Sequence, residues 1–293
     1  MKILITGANG FLGQHLTLYL ADNFTVIATG RNDCKIPTTK NFAFVKAELT
    51  NKKEVDALLQ NTKPTIIIHT AAMSKPDECN NNKELCLLNN VTATEYLVQA
   101  ANAIDAKFIY VSTDFIFGEG GPHSENDRPA PLNFYGESKW QAEEYVLQNA
   151  PEAAIMRPVF IYGKVWEGIR PTFLHWVKNN LEQNQSIKVV SDQLRTPTYV
   201  IDLCKGLEAI INQQATGVYH LAGKEILSPY EMAIQVADTL GLNKSLIENV
   251  TSNSFPEPVQ RAKRSGLKIN KAMTELNYQP VSFEEGVRLS FEI

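Results

Sequence analysis

The sequence predicts an α/β protein, a doubly wound parallel sheet with a smaller C-terminal lobe. Three observations carry this. Several short strand-like runs are apolar throughout instead of alternating, so both of their faces need cover, which is the condition of a parallel sheet. These runs alternate with helical segments over roughly the first 160 residues, the rhythm of a doubly wound domain. The first strand passes into the first helix through a glycine-rich turn, "TGANGFLG".

The elements follow in order. "KILIT" is short, apolar and β-branched, and "FLGQHLTLYLAD" sets Leu12, Leu16 and Leu20 on one helical face. "FTVIATG" reads as the second strand. "NKKEVDALLQN" reads as a helix with Val55, Leu58 and Leu59 on one side. "TIIIHTAA" is a strand, "NKELCLLNNVTATEYLVQAANAI" one long helix, and "KFIYVSTD" another strand. "YGESKWQAEEYVLQN" is a helix and "AAIMRPVFIYG" a strand. After residue 163 the rhythm breaks. "PTFLHWVKNNLEQNQ" is helical, "IKVVS" is a short strand, "YVIDLCKGLEAIIN" is a helix, and "GVYHLAG" looks like one more core strand. "SPYEMAIQVADTLGL" opens with Ser228 as N-cap, Pro229 at N1 and Glu231 at N3, a capping box. The expected division is a main domain of residues 1–163 plus about 196–223, and a lobe of about 164–195 and 224–293.

Composition narrows the function classes. A net charge of −4 gives no broad attraction for nucleic acid or an anionic membrane, though a local phosphate site stays open. No apolar run approaches the ~20 residues of a membrane span, and "KILITG" is too short for a signal-peptide core, so a cytoplasmic protein is expected. The four cysteines, Cys34, Cys79, Cys86 and Cys204, make no Cys-x-x-Cys pair and fit no zinc spacing. They read as reduced, mostly buried thiols. The five histidines are scattered, and no metal site is expected.

In "TGANGFLG", Gly7, Gly10 and Gly13 stand at Gly-x-x-Gly-x-x-Gly spacing. One glycine permits a tight turn, another lets backbone approach a pyrophosphate, and the last lets helix pack on strand. The helix N-terminus then offers free N–H groups and the positive end of its dipole. The turn therefore predicts a dinucleotide site on a Rossmann-type domain. Where the second strand ends, an NAD site wants a carboxylate; here Gly30 is followed by Arg31. A cation without a carboxylate favours NADP(H) over NAD(H); a solvated loop charge at Arg31 would leave the choice open. Glu48 and Leu49, after the third strand, are placed to meet an adenine edge, or are plain loop residues.

Tyr135 and Lys139 lie four residues apart on a helix, hence on one face. A nearby ammonium favours phenolate and lowers the tyrosine pKa from its usual ~10. Such a tyrosine can protonate a carbonyl oxygen, while the lysine can also hold ribose hydroxyls. Ser112 and Thr113 end the preceding strand, where ligand crevices form, and a hydroxyl there can bond a substrate carbonyl.

With these pieces in order, the chain resembles the extended branch of the short-chain dehydrogenase/reductase superfamily. The matching segments are "TGANGFLG", "HTAA", "NNVTAT", "VSTDFIFG", "YGESK" and "RPVFIYG". The resemblance implies Thr113, Tyr135 and Lys139 as catalytic trio and Asn90 as a residue that positions the lysine through water. It implies cofactor contacts from Gly10, Phe11, Leu12, Ala71, Ala72 and Met73. The segment "VVSDQLRTPTYVIDLCKGL" and the late "RSGLKINKAMTELNY" are similar to dTDP-4-dehydrorhamnose reductases. Two departures fall on the substrate side: Phe160 stands near where those reductases carry a tryptophan, and Arg195 where a smaller residue is usual.

The resemblance implies an NAD(P)-dependent reductase acting on a keto group of a nucleotide-linked deoxysugar. Arg195 fits a substrate phosphate or a surface ion pair, and Asp114 a substrate contact or a turn. Two rival readings stay open. One is an epimerase of the same fold. The other is a non-catalytic NADP-binding regulatory subunit resembling that of methionine adenosyltransferase. The helices near 84–104 and 135–149, with Leu97 and Val146, suggest a homodimer interface.

Overall fold

The structure is a computed structural model and describes residues 1–37, 39–166, 169–255 and 258–293. The apolar β-branched runs become a seven-stranded sheet. Its strands are β1 (Lys2–Thr6), β2 (Thr25–Gly30), β3 (Ala43–Lys46), β4 (Ile66–His69), β5 (Lys107–Val111), β6 (Ala154–Arg157) and β10 (Gly217–His220). Their spatial order is β10-β6-β5-β4-β1-β2-β3, and every pairing is parallel. The strand order reverses between β1 and β4, which opens a crevice beyond their C-terminal ends.

Period-two alternation explains why both faces are apolar. Ile3 and Ile5 of β1, with Ile66 and Ile68 of β4, enter one core; Leu4 and Ile67 enter the other. The first core is covered by α1 (Phe11–Leu20) through Leu12, Leu16 and Leu20, and by α8 (Val200–Asn212) through Leu203 and Leu207. The second is covered by α2 (Lys52–Thr62), α5 (Ala93–Ala103) and α6 (Phe134–Asn149). The "GVYHLAG" strand pairs with β6 in register Val218–Ile155, as its apolar run suggests.

Two short parallel pairs lie beyond the main sheet. β7 (Ile161–Tyr162) joins β9 (Thr198–Tyr199), and β8 (Ile187–Val190) joins β11 (Ile247–Val250). Around them run α7 (Phe173–Glu182), α9 (Pro229–Leu240), α10 (Asn270–Leu276) and α11 (Phe283–Phe291). Helix α9 begins with both bonds of the capping box, Ser228 with Glu231. No helix among the described residues is long and apolar enough to cross a membrane.

Two expectations change. The single long helix is instead α4 (Lys83–Leu87), a π-helical turn at Leu88–Thr92, and α5 in succession, and a short helix that was not expected, α3 (Pro76–Asn81), precedes it. π-Turns of this kind often mark functional sites. Leu97 and Val146 do not face outward; both are fully buried against the sheet, so neither supplies a dimer surface. The exposed apolar residues of these helices are Leu85, Leu88 and Leu147.

Three histidines are held neutral by burial. His69 lies between the hydroxyls of Thr6 (2.7 Å) and Thr94 (3.0 Å), and its pKa is lowered to about 3. His220 is likewise lowered to about 3 and His15 to about 4, in each case first by burial. Below the ordinary histidine pKa of ~6.5 the unfolded chain takes up protons that the folded chain refuses. Their contribution is therefore complete above about 6.5 and lost as pH falls toward 3–4. Asp114 and Asp202, shifted up by burial, act in the opposite sense. Replacement of His69 by Gln isolates the histidine share: thermal melts between neutral pH and pH about 4 should show a shallower loss of Tm than in the parent. An unchanged slope would refute the assignment.

Candidate active site

A cleft of about 730 Å³ opens at the strand C-termini, between the glycine turn and the start of α6. At its glycine-turn end Gly7 has φ +65°, and a Cβ there would lie 2.6 Å from the Ala71 nitrogen. A Cβ on Gly13 would lie 2.3 Å from the Gly7 carbonyl oxygen. Turn, neighbouring strand and helix thus close on one another only without side chains. Helix α1 starts after Gly10 with no side-chain cap, so its first amides face the cleft unshared. Asn9 braces the turn, donating to the Asp33 carbonyl (2.9 Å) and accepting from the Lys35 amide (2.9 Å). That brace carried no sequence signal, since an Asn in a turn is ordinary.

Beyond the ends of β2 and β3, Arg31 and Glu48 face each other at 4.0 Å, Arg31 exposed and Glu48 half-buried. The Glu48 carboxylate also accepts from the Thr50 amide (3.1 Å) and hydroxyl (2.9 Å). Arg31 is therefore a cation at the cleft rim with a carboxylate opposite it. Leu49, Leu12, Phe11, Ala71 and Ala72 line the same cleft. Met73 does not; Ser74 takes the lining position, and Met73 packs toward Cys79 and Cys86. Both Met73 backbone groups bond the Asn90 side chain, its amide donating (2.7 Å) and its carbonyl accepting (3.1 Å).

At the other end stand Ser112, Thr113, Asp114, Tyr135 and Lys139. Thr113 caps a 3₁₀ turn at Asp114–Ile116, its hydroxyl accepting from the Phe115 amide (3.3 Å). Asn133 caps α6, its Oδ1 accepting from the Gly136 amide (3.0 Å). Gly136 lets α6 meet the β5 loop: a Cβ there would lie 2.1 Å from the Phe115 carbonyl oxygen, so something must shift. Gly136→Ala should therefore cost about 1–3 kcal/mol in chemical denaturation, the usual range for overpacking. Unaltered stability would show that the helix start can slide freely. The ring of Tyr135 then packs edge-on to Phe115, with centroids 5.4 Å apart.

The electrostatics differ from the expectation at one point. Burial raises the Tyr135 pKa, opposed mainly by the Thr113 hydroxyl, and no lowering by Lys139 is found. The Lys139 ammonium instead donates to the Val111 carbonyl (2.8 Å) and lies 4.1 Å from the Tyr110 ring centroid. Burial lowers its own pKa to about 7, opposed first by Glu143 one turn further along α6. Tyr135 is thus held as a neutral phenol, a proton donor by default. Glu143 is fully buried and bonds Arg157 of β6. Arg157 Nε reaches both carboxylate oxygens, at 3.1 and 3.3 Å.

Asn90 sits in the π-turn, but its side chain is taken by Met73, the Ser138 hydroxyl (2.9 Å) and the Cys86 thiol (3.4 Å). It ties the strand β4 loop to α6, and no direct bond to Lys139 is found. Asp114 is buried and accepts from Thr113 (3.3 Å) and Ser265 (3.0 Å). Arg195 does not lie at the surface. It is buried, and its guanidinium donates to the carbonyls of Leu194 (2.7 Å) and Lys263 (3.2 Å) and to Gln193 Oε1 (3.2 Å). It lies outside the main cleft, in a small recess with Asp114, Ser265 and Arg261. The Trp166 ring lies against His15, with centroids 4.2 Å apart and the planes tilted by 36°.

A family model for the RmlD substrate binding domain matches residues 1–292. The chain belongs to the RmlD substrate-binding-domain family. Among its relatives is the methionine adenosyltransferase 2 subunit beta of Xenopus laevis, 34% identical over 88% of this chain and 76% of the relative. Another is the dTDP-4-dehydrorhamnose reductase of Aggregatibacter actinomycetemcomitans, 29% identical over 98% of this chain and 97% of the relative. Among solved structures, the dTDP-4-dehydrorhamnose reductase of Bacillus anthracis, in complex with NADP, superposes with a TM-score of 0.86. It is 27% identical over 99% of this chain and 98% of that one.

The residues present fit a nicotinamide dinucleotide. A side chain at Gly7 or Gly13 would close the turn, the α1 amides are uncapped, and the buried Ser112 hydroxyl has no partner within the protein. Among the described residues no group of three or more His, Cys, Asp or Glu is arranged to hold a metal ion.

Proposed function

We propose that the chain is an NADP(H)-dependent reductase of a keto group on a nucleotide-linked deoxysugar, with Thr113, Tyr135 and Lys139 as its catalytic residues. The observation that carries this is the meeting of these three side chains at one end of a cleft whose other end is the glycine turn. When bound, the cofactor supplies hydride to the carbonyl carbon. Tyr135, neutral because it is buried, gives the carbonyl oxygen its proton. Thr113 donates a hydrogen bond that orients the carbonyl and stabilises charge on its oxygen. Lys139 stands next on the same helical face, placed to hold the ribose and to favour the phenolate that remains. Ser112 adds a free donor or acceptor.

In the same reading Gly7, Gly10 and Gly13 cradle the pyrophosphate, Arg31 meets the 2′-phosphate, and Glu48 and Leu49 border the adenine. Residues 1–163 with about 196–223 carry the cofactor. The segments about 164–195 and 224–293 carry the sugar, and Asp114, joined to Ser265, borders both. Arg195 acts from behind Asp114, whose carboxylate feels its charge. A homodimer would use the outer faces of α4 and α6, with Leu85, Leu88 and Leu147.

A second reading is favoured by one observation: relatives named methionine adenosyltransferase 2 subunit beta reach 34% identity. Such a chain would hold the dinucleotide and serve a partner enzyme. The test is to supply purified protein with dTDP-4-dehydrorhamnose and either NADPH or NADH. Consumption of substrate with preference for NADPH supports the reductase. Tight NADPH binding without turnover on any nucleotide keto-sugar, with a stoichiometric enzyme partner recovered, would overturn it in favour of the second reading.

A further inference from the structure

Four side chains beneath the start of α6 are not used by the reaction: Cys79, Cys86, Asn90 and Ser138. The two cysteines share one small buried cluster with Tyr135, and the Asn90 side-chain amide that Cys86 accepts from also bonds the Met73 carbonyl to which Cys79 donates. Cys79 Sγ donates to the Met73 carbonyl (3.2 Å). Cys86 Sγ contacts the Ser138 hydroxyl (3.3 Å) and receives Asn90 Nδ2 (3.4 Å). Ser138 in turn donates to the Tyr135 carbonyl (2.8 Å). A chain of polar contacts therefore runs from the thiol pair to the backbone of the proposed proton donor.

We propose that Cys79 and Cys86 are a redox-responsive pair that closes to a disulfide under hydroperoxide and thereby slows the reaction at Tyr135. Two S–H bonds break and one S–S bond forms. The two electrons and two protons go to the peroxide, so that hydrogen peroxide yields two waters and an organic hydroperoxide one alcohol and one water. Only the consequence for turnover rests on the reductase reading; the bridge itself does not.

Three features support the pair beyond proximity. First, the Cys86 thiol is held below its ordinary pKa by its polar contacts with Cys79, Ser138 and Asn90 and by the Lys139 charge, against the opposing effect of burial, so it is the attacking partner. Second, the covering segment is thin. From Glu78 to Leu85 every residue except Cys79 is exposed, and α3 is six residues long. A helix that short, held by Cys79 and by the Asp77–Arg261 ion pair (3.0 Å), opens locally at modest cost and admits a small oxidant. Third, the bridge removes the thiol proton and draws Cys86 toward Cys79. Ser138 then loses the bond from Cys86, and Asn90 keeps only Met73 and Ser138, in a buried site at the turn that carries Tyr135 and Lys139.

The test treats folded protein, in a Cys34→Ser background that removes the exposed thiol, with graded hydrogen peroxide. Trypsin cuts at Lys83, between the two cysteines, so the bridge appears as a cross-link between two peptides that is lost with dithiothreitol. The expected result is cross-linked protein whose turnover falls about tenfold, the effect of about one buried hydrogen bond, and recovers on reduction. Cys79→Ser should match the reduced parent and ignore peroxide. Absence of the cross-link while the fold is intact overturns the proposal, as does a cross-link with unchanged turnover. If the reduced protein turns over no keto-sugar, the reductase reading fails separately. The proposal is then decided by the cross-link and by whether NADPH affinity changes reversibly with it.

Discussion

Tyr135→Phe is expected to bind NADPH as the parent does and to lose about 10²–10⁴-fold in turnover, the usual worth of a positioned acid. The phenol is the one group in the trio placed to give up a proton as a neutral acid. Its ring can still pack against Phe115 without the hydroxyl, so folding and the cofactor cradle should be preserved. The measurement is kcat beside NADPH affinity by fluorescence titration. Full turnover in the variant would remove Tyr135 from the chemistry. Lost turnover with lost cofactor binding would show instead that the hydroxyl shapes the cleft.

Glu143→Ala should be among the most destabilising single changes in the chain, by about 3–5 kcal/mol. It strips the carboxylate from a buried Arg157. Among the described residues, His220 Nε2 (3.1 Å), the Glu125 carbonyl (3.3 Å) and the face of Phe117 (5.2 Å) would then remain around the guanidinium. The loss comes mainly from the uncompensated cation, so Arg157→Met in the same chain should recover much of it. Urea denaturation of both variants checks this. A small loss in the single variant, or no recovery in the double, would mean that the pair is solvated. The pair also pins α6 to β6 one turn beyond Lys139, which makes it a structural support of the site.

Much of this was legible in the residues because it follows from period and local chemistry. Leu12, Leu16 and Leu20 had to share a face, an all-apolar "TIIIH" had to be covered twice, and Ser228 with Glu231 had to cap a helix. The glycine turn and the Tyr135–Lys139 spacing were likewise local signals, and the structure brings them to one cleft. What failed was long-range. Helical period shows which residues share a face but not where that face points, so Leu97 and Val146 were assigned outward when the sheet claims them. Arg195 is enclosed by carbonyls from residues 194 and 263, a meeting that no local pattern records. Lys139 was expected to lower the Tyr135 pKa, yet burial dominates both groups, and burial is a property of the packed chain. The need for glycine at 136 rests on a close approach to Phe115, which spacing alone does not reveal.

The most direct measurement is a single-turnover reaction with NADPH carrying deuterium at both positions of nicotinamide C4, with dTDP-4-dehydrorhamnose as substrate. Mass spectrometry then asks where the label goes. The expected result is one deuterium transferred to the sugar at the former carbonyl carbon, at a rate that collapses in Tyr135→Phe. Unlabelled sugar with the cofactor bound and unchanged would contradict the reductase and leave a chain that holds its dinucleotide without using it.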